Sequence, residues 1–284
     1  MLVRQLHPGD EEKLEAFLVQ YIDSSMFLRG NMRVAGLIDD GSRYGGAYVA
    51  AFEDDRIIGV AAHYQIGNVI VQLPVRNDEV LRRTVELSGR EVTGFLGPYD
   101  QIVAACEALA FDRSTARYDS RQGLYALALN KLNVPDALAE HRVSARLFEP
   151  DDFDTLIEWY LQYVLELSGE AETPKVRQRW RDGVQRMHDE KRAWVLIDDD
   201  ELVASTAFNS ALPDIVQIGG VFTPTDKRSR GYAKCAVAAS LIEARDNGVE
   251  RAVLFTGEDN VPAIRAYEAL GFEKVGDYGL IFTK

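Results

Sequence analysis

The 284-residue sequence predicts an α+β fold made twice in tandem, each copy a twisted mixed β-sheet flanked by helices. Three matches between the halves, in the same order along the chain, predict it. VRQLHPGDEEKLEAFLVQY, from Val3, lies over ARLFEPDDFDTLIEWYLQY, from Ala145, at a constant offset of 142 residues. EDDRIIGVAAHY after AYVAAF lies over DDELVASTAFN after AWVLI, at an offset of 145 or 146. YDQIVAACEALAF, from Tyr99, lies over NVPAIRAYEALGF, from Asn260, at an offset of 161. The junction falls in KLNVPDALAEHRV, and the expected domains are residues 1–135 and 143–284.

The first match pairs Arg4, Pro8, Asp10, Leu14, Gln20 and Tyr21 with Arg146, Pro150, Asp152, Leu156, Gln162 and Tyr163. Each copy there reads as a short strand, a Pro–Asp helix start and an amphipathic helix. The second match reads as strand, acidic turn and strand, the pattern of a β-hairpin. In the third, REVTGFLG and RAVLFTG read as one strand. Glu107, Ala108, Leu109 and Phe111 of the next helix meet Glu268, Ala269, Leu270 and Phe272. The growing offset places about sixteen extra residues in the second copy, around VFTPTDKRSRGYAKCAVAAS. The copies share a scaffold and diverge in that stretch.

Composition narrows the function. With 46% hydrophobic and 27% charged residues the chain is globular and not disordered. A net charge of −13 repels phosphate backbones and excludes a generic nucleic-acid binder. It favours cationic substrates mildly, and by itself also keeps a protein in solution. No apolar run approaches the ~18 residues of a membrane span. The start, MLVRQLHPGDEEKLEAF, has no signal-peptide core, so a cytoplasmic protein is expected. Two distant cysteines, Cys106 and Cys235, fit a reducing compartment. His7, His63, His141 and His188 form no HExxH or His-x-His pair, so no metal site is expected.

In the second copy PDIVQIGGVFT reads as a strand that Pro224 stops. The loop TDKRSRGYA follows, then a helix through YAKCAVAASLIEARDNG with Gly248 at its end. A loop feeding a helix N-terminus presents orphan N–H groups and the positive end of the dipole, which suits a pyrophosphate. Gly231 allows close approach, and Arg228, Arg230 and Lys234 add charge. Neither a Walker loop nor GxGxxG is present. GSRYGG at 41–46 precedes a strand and reads as a turn. After the strand RAVLFTG, Asn260 caps a short helix with Pro262 in its first turn, Tyr267 on it and Gly271 beyond it.

Taken together, Val221-Phe222-Thr223, Arg228-Ser229-Arg230-Gly231-Tyr232-Ala233, Asn260, Tyr267 and Gly271-Phe272 closely resemble the GNAT superfamily of acetyl-CoA-dependent N-acetyltransferases. The resemblance covers roughly residues 145–284, and the first half only through its scaffold. It implies two tandem GNAT-like domains, with acetyl-CoA bound by the second. The strand Val221–Thr223 would pair with the pantetheine amides and polarise the thioester carbonyl. The loop Arg228–Lys234 would hold the pyrophosphate, with Asn260 and Ala263 beside the pantetheine arm. Tyr267 would protonate the departing thiolate. The implied partner is an amine acceptor, a small molecule rather than a protein.

The sequence departs from the family pattern in two places. No glutamate ends the strand before the phosphate loop; Asp214, at its start, is the one carboxylate there. Glu166, Glu170 and Glu172 in LELSGEAET could face the acceptor, although each also reads as a solvated helix charge, as does His188 as a surface residue. The first half has Tyr99 at the place of Asn260, Cys106 at the place of Tyr267, and no R-x-x-G-x-[GA]. It reads as a degenerate domain, with Cys106 a buried hydrophobe. The competing function is an acyl-CoA-binding or regulatory module without catalysis.

Overall fold

The computed structural model describes residues 1–283, with Leu167 and Ser168 through their backbone only. In order, the elements are β1 (Leu2–Gln5), α1 (Glu11–Leu18), α2 (Met26–Ala35), β2 (Gly46–Glu53), β3 (Arg56–Tyr64), β4 (Asn68–Gln72), α3 (Asp78–Ser88), β5 (Gly94–Pro98), α4 (Tyr99–Ala108) and β6 (Tyr118–Ala128). The junction holds α5 (Asp136–Ala139), and the second repeat adds β7 (Ser144–Leu147), α6 (Phe153–Ser168), α7 (Pro174–Asp189), β8 (Ala193–Asp198), β9 (Glu201–Ala211) and β10 (Ile215–Phe222). It ends with α8 (Tyr232–Asp246), β11 (Arg251–Gly257), α9 (Val261–Ala269) and β12 (Glu273–Phe282). This is the α+β architecture the sequence predicts.

The chain forms two compact units, the first made of Met1–Leu124, Phe255–Asp259 and Lys274–Lys284, the second of Tyr125–Leu254 and Asn260–Glu273. In the first, the strand order is β1-β2-β3-β4-β5-β12, antiparallel except for the β4–β5 pair. β12 is the last strand of the second repeat, yet Tyr278–Phe282 pair with Gly94–Pro98 of the first unit. Leu14, Phe17, Leu28 and Met32 of α1 and α2 cover one face of this sheet. Val80, Leu81, Ile102 and Ala105 of α3 and α4 cover the other. Each fully buried Leu, Ile, Val, Phe or Met side chain among these contributes roughly 1.5–3 kcal/mol.

The second unit repeats the plan, with strand order β11-β10-β9-β8-β7 and one parallel pair, β10–β11. Leu156, Ile157 and Tyr160 of α6 and Val176 and Val184 of α7 pack on one face. Val237 and Leu241 of α8, with Tyr267 and Leu270 at α9, pack on the other. The hairpin turns also correspond: Asp54–Asp55 and Asp199–Asp200 all take positive φ, the left-handed conformation that a two-residue hairpin turn requires and aspartate tolerates.

Some of the extra residues of the second copy lie where the offset places them. β10 has 8 residues against 5 in β4, and α8 has 15 against 11 in α3.

Candidate functional site

The site begins with a ladder that stops. β10 and β11 pair in parallel only through Ile215–Gln217 opposite Arg251–Val253. Beyond Gln217 β10 continues to Phe222 on its other neighbour, β9, through two register irregularities, at Gln217/Ile218 and between Gly219 and Phe222. Such bulges bend a strand and re-aim its side chains. Gly220 sits in the second at φ +58, where a Cβ would lie 3.0 Å from the Tyr160 hydroxyl. Only a glycine combines that conformation with that contact.

The bent end of β10 has two sides. Val221 packs against the core cluster that holds Val237 and Leu241 of α8 and Tyr267 of α9. Phe222 packs on α6, its ring 6.0 Å from Trp159 and 6.5 Å from Tyr163. Tyr160 next to them stacks on Trp180 of α7 at 5.0 Å. Backbone N–H groups of Val221–Thr223 therefore separate a side built by α8 and α9 from an aromatic side built by α6 and α7.

Nine residues after β10 comes Gly231, the N-cap of α8, which takes φ +81 and gives no side-chain cap. The N–H groups of Tyr232, Ala233 and Lys234 have no carbonyl of the preceding turn to bond, and no acid occupies the first turn. Ser229 also takes a positive φ, 65°. Unpaired N–H groups and a first turn without acids are the features that suit an anion at a helix N-terminus. A Cβ on Gly231 would lie 3.2 Å from Cε of Lys234, so the lysine stem folds back over the glycine. Among the described residues neither Arg230 nor Lys234 has a carboxylate partner in an ion pair. Tyr232 turns aside and donates its hydroxyl to Asp198, which raises the phenol's pKa.

Arg228 is differently placed. Its Nη2 donates to both carboxylate oxygens of Glu166 at 2.9 and 2.8 Å, and its Nε to the carbonyl of Thr223 at 3.0 Å. The other two carboxylates of that segment are also paired, Glu170 with Arg179 and Glu172 with Arg177 at 2.6 Å. Asp214 lies at the far end of β10, where its carbonyl accepts from Glu250 and Arg251. His188 rests against Phe148 and Phe153 at 5.8 and 5.3 Å.

Asn260 is the N-cap of α9, accepting from the N–H of Ala263 at 3.4 Å. Tyr267 follows two turns later and is buried, its ring 6.0 Å from Phe272. Burial, with the nearby Tyr163, pushes its phenol well above the usual range, so it stays protonated and able to donate. Sequence reasoning missed the aromatic side. Trp159, Tyr160 and Tyr163 recur at helical spacing, but only the fold shows that they meet β10.

Residues 153–272 match the model of the Acetyltransferase (GNAT) family. No curated protein matches the chain in sequence. Among solved structures, a GCN5-related N-acetyltransferase from Sphaerobacter thermophilus is 17% identical with a TM-score of 0.59, the match covering 99% of this chain and 94% of that one. A GCN5-related N-acetyltransferase from Kribbella flavida is 17% identical with a TM-score of 0.57, over 93% of this chain and 95% of that one. A tandem GNAT protein from the clavulanic acid biosynthesis pathway is 16% identical with a TM-score of 0.56, over 99% of this chain and 97% of that one. At such identities the likeness is one of fold, and it extends over both repeats. Among the described residues no helix is long and apolar enough to cross a membrane. With the family's model matched across the stopped ladder, the helix start and α9, residues 153–272 form a domain of the Acetyltransferase (GNAT) family.

Proposed function

We propose that the second repeat, residues 143–284, transfers an acetyl group from acetyl-CoA to a primary amine of a small molecule, by direct attack within a ternary complex. The observation that carries the reading is the end of the β10–β11 ladder after three residue pairs, which leaves the end of β10 unpaired by β11 ahead of the uncapped start of α8.

The residues fit the coenzyme. The N–H groups of Gly231, Tyr232, Ala233 and Lys234, with the Arg230 and Lys234 side chains, would hold the diphosphate. The backbone of Val221–Thr223 would pair with the pantetheine amides, and Asn260 and Ala263 would flank the arm. In the reaction a neutral amine nitrogen attacks the thioester carbon, a C–N bond forms and the C–S bond breaks. Backbone N–H groups of β10 would stabilise the oxyanion, the departing thiolate would take a proton from Tyr267, and the proton that the nitrogen sheds as the amide forms would restore the phenol. The amine loses its proton to a base or a water before attack. Holding both reactants supplies much of the rate.

The test is calorimetry with coenzyme A, followed by acetyl-CoA consumption with and without a panel of primary amines. One coenzyme per chain and amine-dependent consumption are expected. Binding without transfer to any amine would favour a binding module, and two equivalent sites would overturn the degeneracy of the first repeat.

A further inference from the structure

We propose that Glu166, the ring of Phe222 and the carbonyl of Thr223 form the subsite for the acceptor's ammonium group, and that Arg228 fills it until a diphosphate draws the guanidinium away. The inference rests on the reading that acetyl-CoA binds at the start of α8. An ammonium is received by a carboxylate, a carbonyl oxygen and an aromatic face. These three meet at one point, and a cation of the chain itself marks that point. Arg228 donates to both oxygens of Glu166 at 2.9 and 2.8 Å and to the Thr223 carbonyl at 3.0 Å. Its guanidinium carbon lies 5.7 Å from the centroid of Phe222. Trp159 and Tyr163 pack against the same ring. The subsite therefore suits a primary ammonium carried on an apolar or aromatic body.

Arg228 is poised to leave. Its side chain is 42% exposed and that of Glu166 47%, and ion pairs so exposed are weak. Arg228 stands three residues before Gly231 in the loop that would meet the diphosphate, whose oxygens accept a guanidinium in bidentate fashion. Drawn there, it leaves Glu166 as an uncompensated carboxylate beside an aromatic face. Coenzyme and amine then favour each other's binding, and by linkage the coupling is reciprocal. The same step arranges that the amine is gripped only when the acetyl donor is in place.

Coenzyme A is titrated calorimetrically into the full chain, with and without phenethylamine as the probe cation, for wild type, Glu166→Gln and Glu172→Gln. Glu166→Gln removes the competitor for Arg228 and should tighten coenzyme A roughly two- to five-fold, the span of a weak exposed pair. Glu172→Gln makes the same change of net charge beside Arg177 and should leave affinity unchanged. Phenethylamine should tighten coenzyme A in wild type and not in Glu166→Gln. Unchanged or weaker binding by Glu166→Gln, with a wild-type circular dichroism melt, overturns the proposal, as does an amine effect that survives the substitution. Failure of the wild type to bind coenzyme A would instead overturn the reading beneath it.

Discussion

Both units stop a parallel strand pair after three residues, yet they treat the ends in opposite ways. In the first unit β4 and β5 pair at Asn68–Ile70 and Gly94–Leu96. Beyond that the backbones stay close, since a Cβ on Gly97 would lie 2.8 Å from the Val71 carbonyl oxygen. The side chain of Gln101 accepts from the N–H of Leu73 at 2.6 Å and so uses a backbone donor just past the strand end. The helix that follows, α3, is capped by Asn77 through the N–H of Val80 at 3.2 Å, with Asp78 and Glu79 in its first turn. Those acids stabilise the helix by about 0.3–1 kcal/mol each and repel an anion from its start. α8 gives up both devices: no side-chain cap, no first-turn acid, and Lys234 in their stead. The scaffold is common to both repeats, and a handful of residues at one helix start set the two helix starts apart electrostatically.

The sharpest way to break this contrast is at Gly231. Valine there meets the left-handed backbone with a branched Cβ, a strain of about 1–2 kcal/mol, and pushes on Lys234 where the diphosphate would sit. Coenzyme A affinity should fall by on the order of 100-fold or more, equivalent to about 2.7 kcal/mol. Gly231→Asn tolerates the backbone and still adds a side chain, so it separates crowding from strain. Calorimetry beside thermal melts reads both. Retention of wild-type affinity by a folded Gly231→Val would mean that α8 does not bind the coenzyme.

Tyr267 and Cys106 occupy matching places in the two repeats and should respond differently. Tyr267→Phe keeps the ring and its contact with Phe272 while removing the proton donor, which matters when charge develops on sulfur. Single-turnover acetyl transfer should slow about ten-fold or more, with coenzyme affinity little changed. Cys106 is 2% exposed, and burial pushes its thiol up to about 12, so it is no thiolate. Cys106→Ala should leave the chemical step as it is. An unchanged step in a folded Tyr267→Phe would remove the tyrosine from catalysis.

The parts legible in the sequence are those with local causes. The acidic hairpin turns, the strand stopped by Pro224, the loop through Gly231 and the Asn260-capped helix lie where their residues indicate. The rest depends on distant pairings. Nothing local to Glu273–Phe282 says that this strand joins the first unit. Arg228 meets Glu166 across 62 residues, and each reads separately as an ordinary surface charge. α7, sixteen residues rich in arginine and glutamine, has only a narrow apolar stripe, with Val176, Gly183 and Val184 buried. One relation between the repeats shows in the sequence without its cause: arginine and aspartate recur six residues apart in both, as Arg4–Asp10 and Arg146–Asp152.

That recurrence is a pair of matched ion pairs, and it gives the smallest expected effect. Arg4 reaches Asp10 with two nitrogens at 2.7 and 2.8 Å, and Arg146 reaches Asp152 at 2.6 and 3.1 Å. Each aspartate also accepts a backbone N–H three residues upstream, from His7 and from Glu149. The hydrogen bond from Arg4 is the main cause that lowers the Asp10 carboxyl from its ordinary 3.8 to about 2. For Asp152 burial opposes ionisation, but Arg146 and the Glu149 N–H together still lower the carboxyl. A folded-state pKa below the unfolded one means that the stabilisation is present above the unfolded value and disappears as pH falls through the folded one. For Asp10 that window runs from 3.8 down to about 2. Both arginines are about one-third exposed, which screens the pairs, so Asp10→Asn and Asp152→Asn should each cost about 1 kcal/mol near neutral pH. Urea unfolding at a series of pH values should show the Asp10→Asn deficit shrinking through that window and vanishing below it. A deficit that persists at the acid end would assign the cost to the lost shape of the helix start rather than to the charge. A deficit in one repeat and none in the other would show that the two copies no longer share the scaffold they inherited.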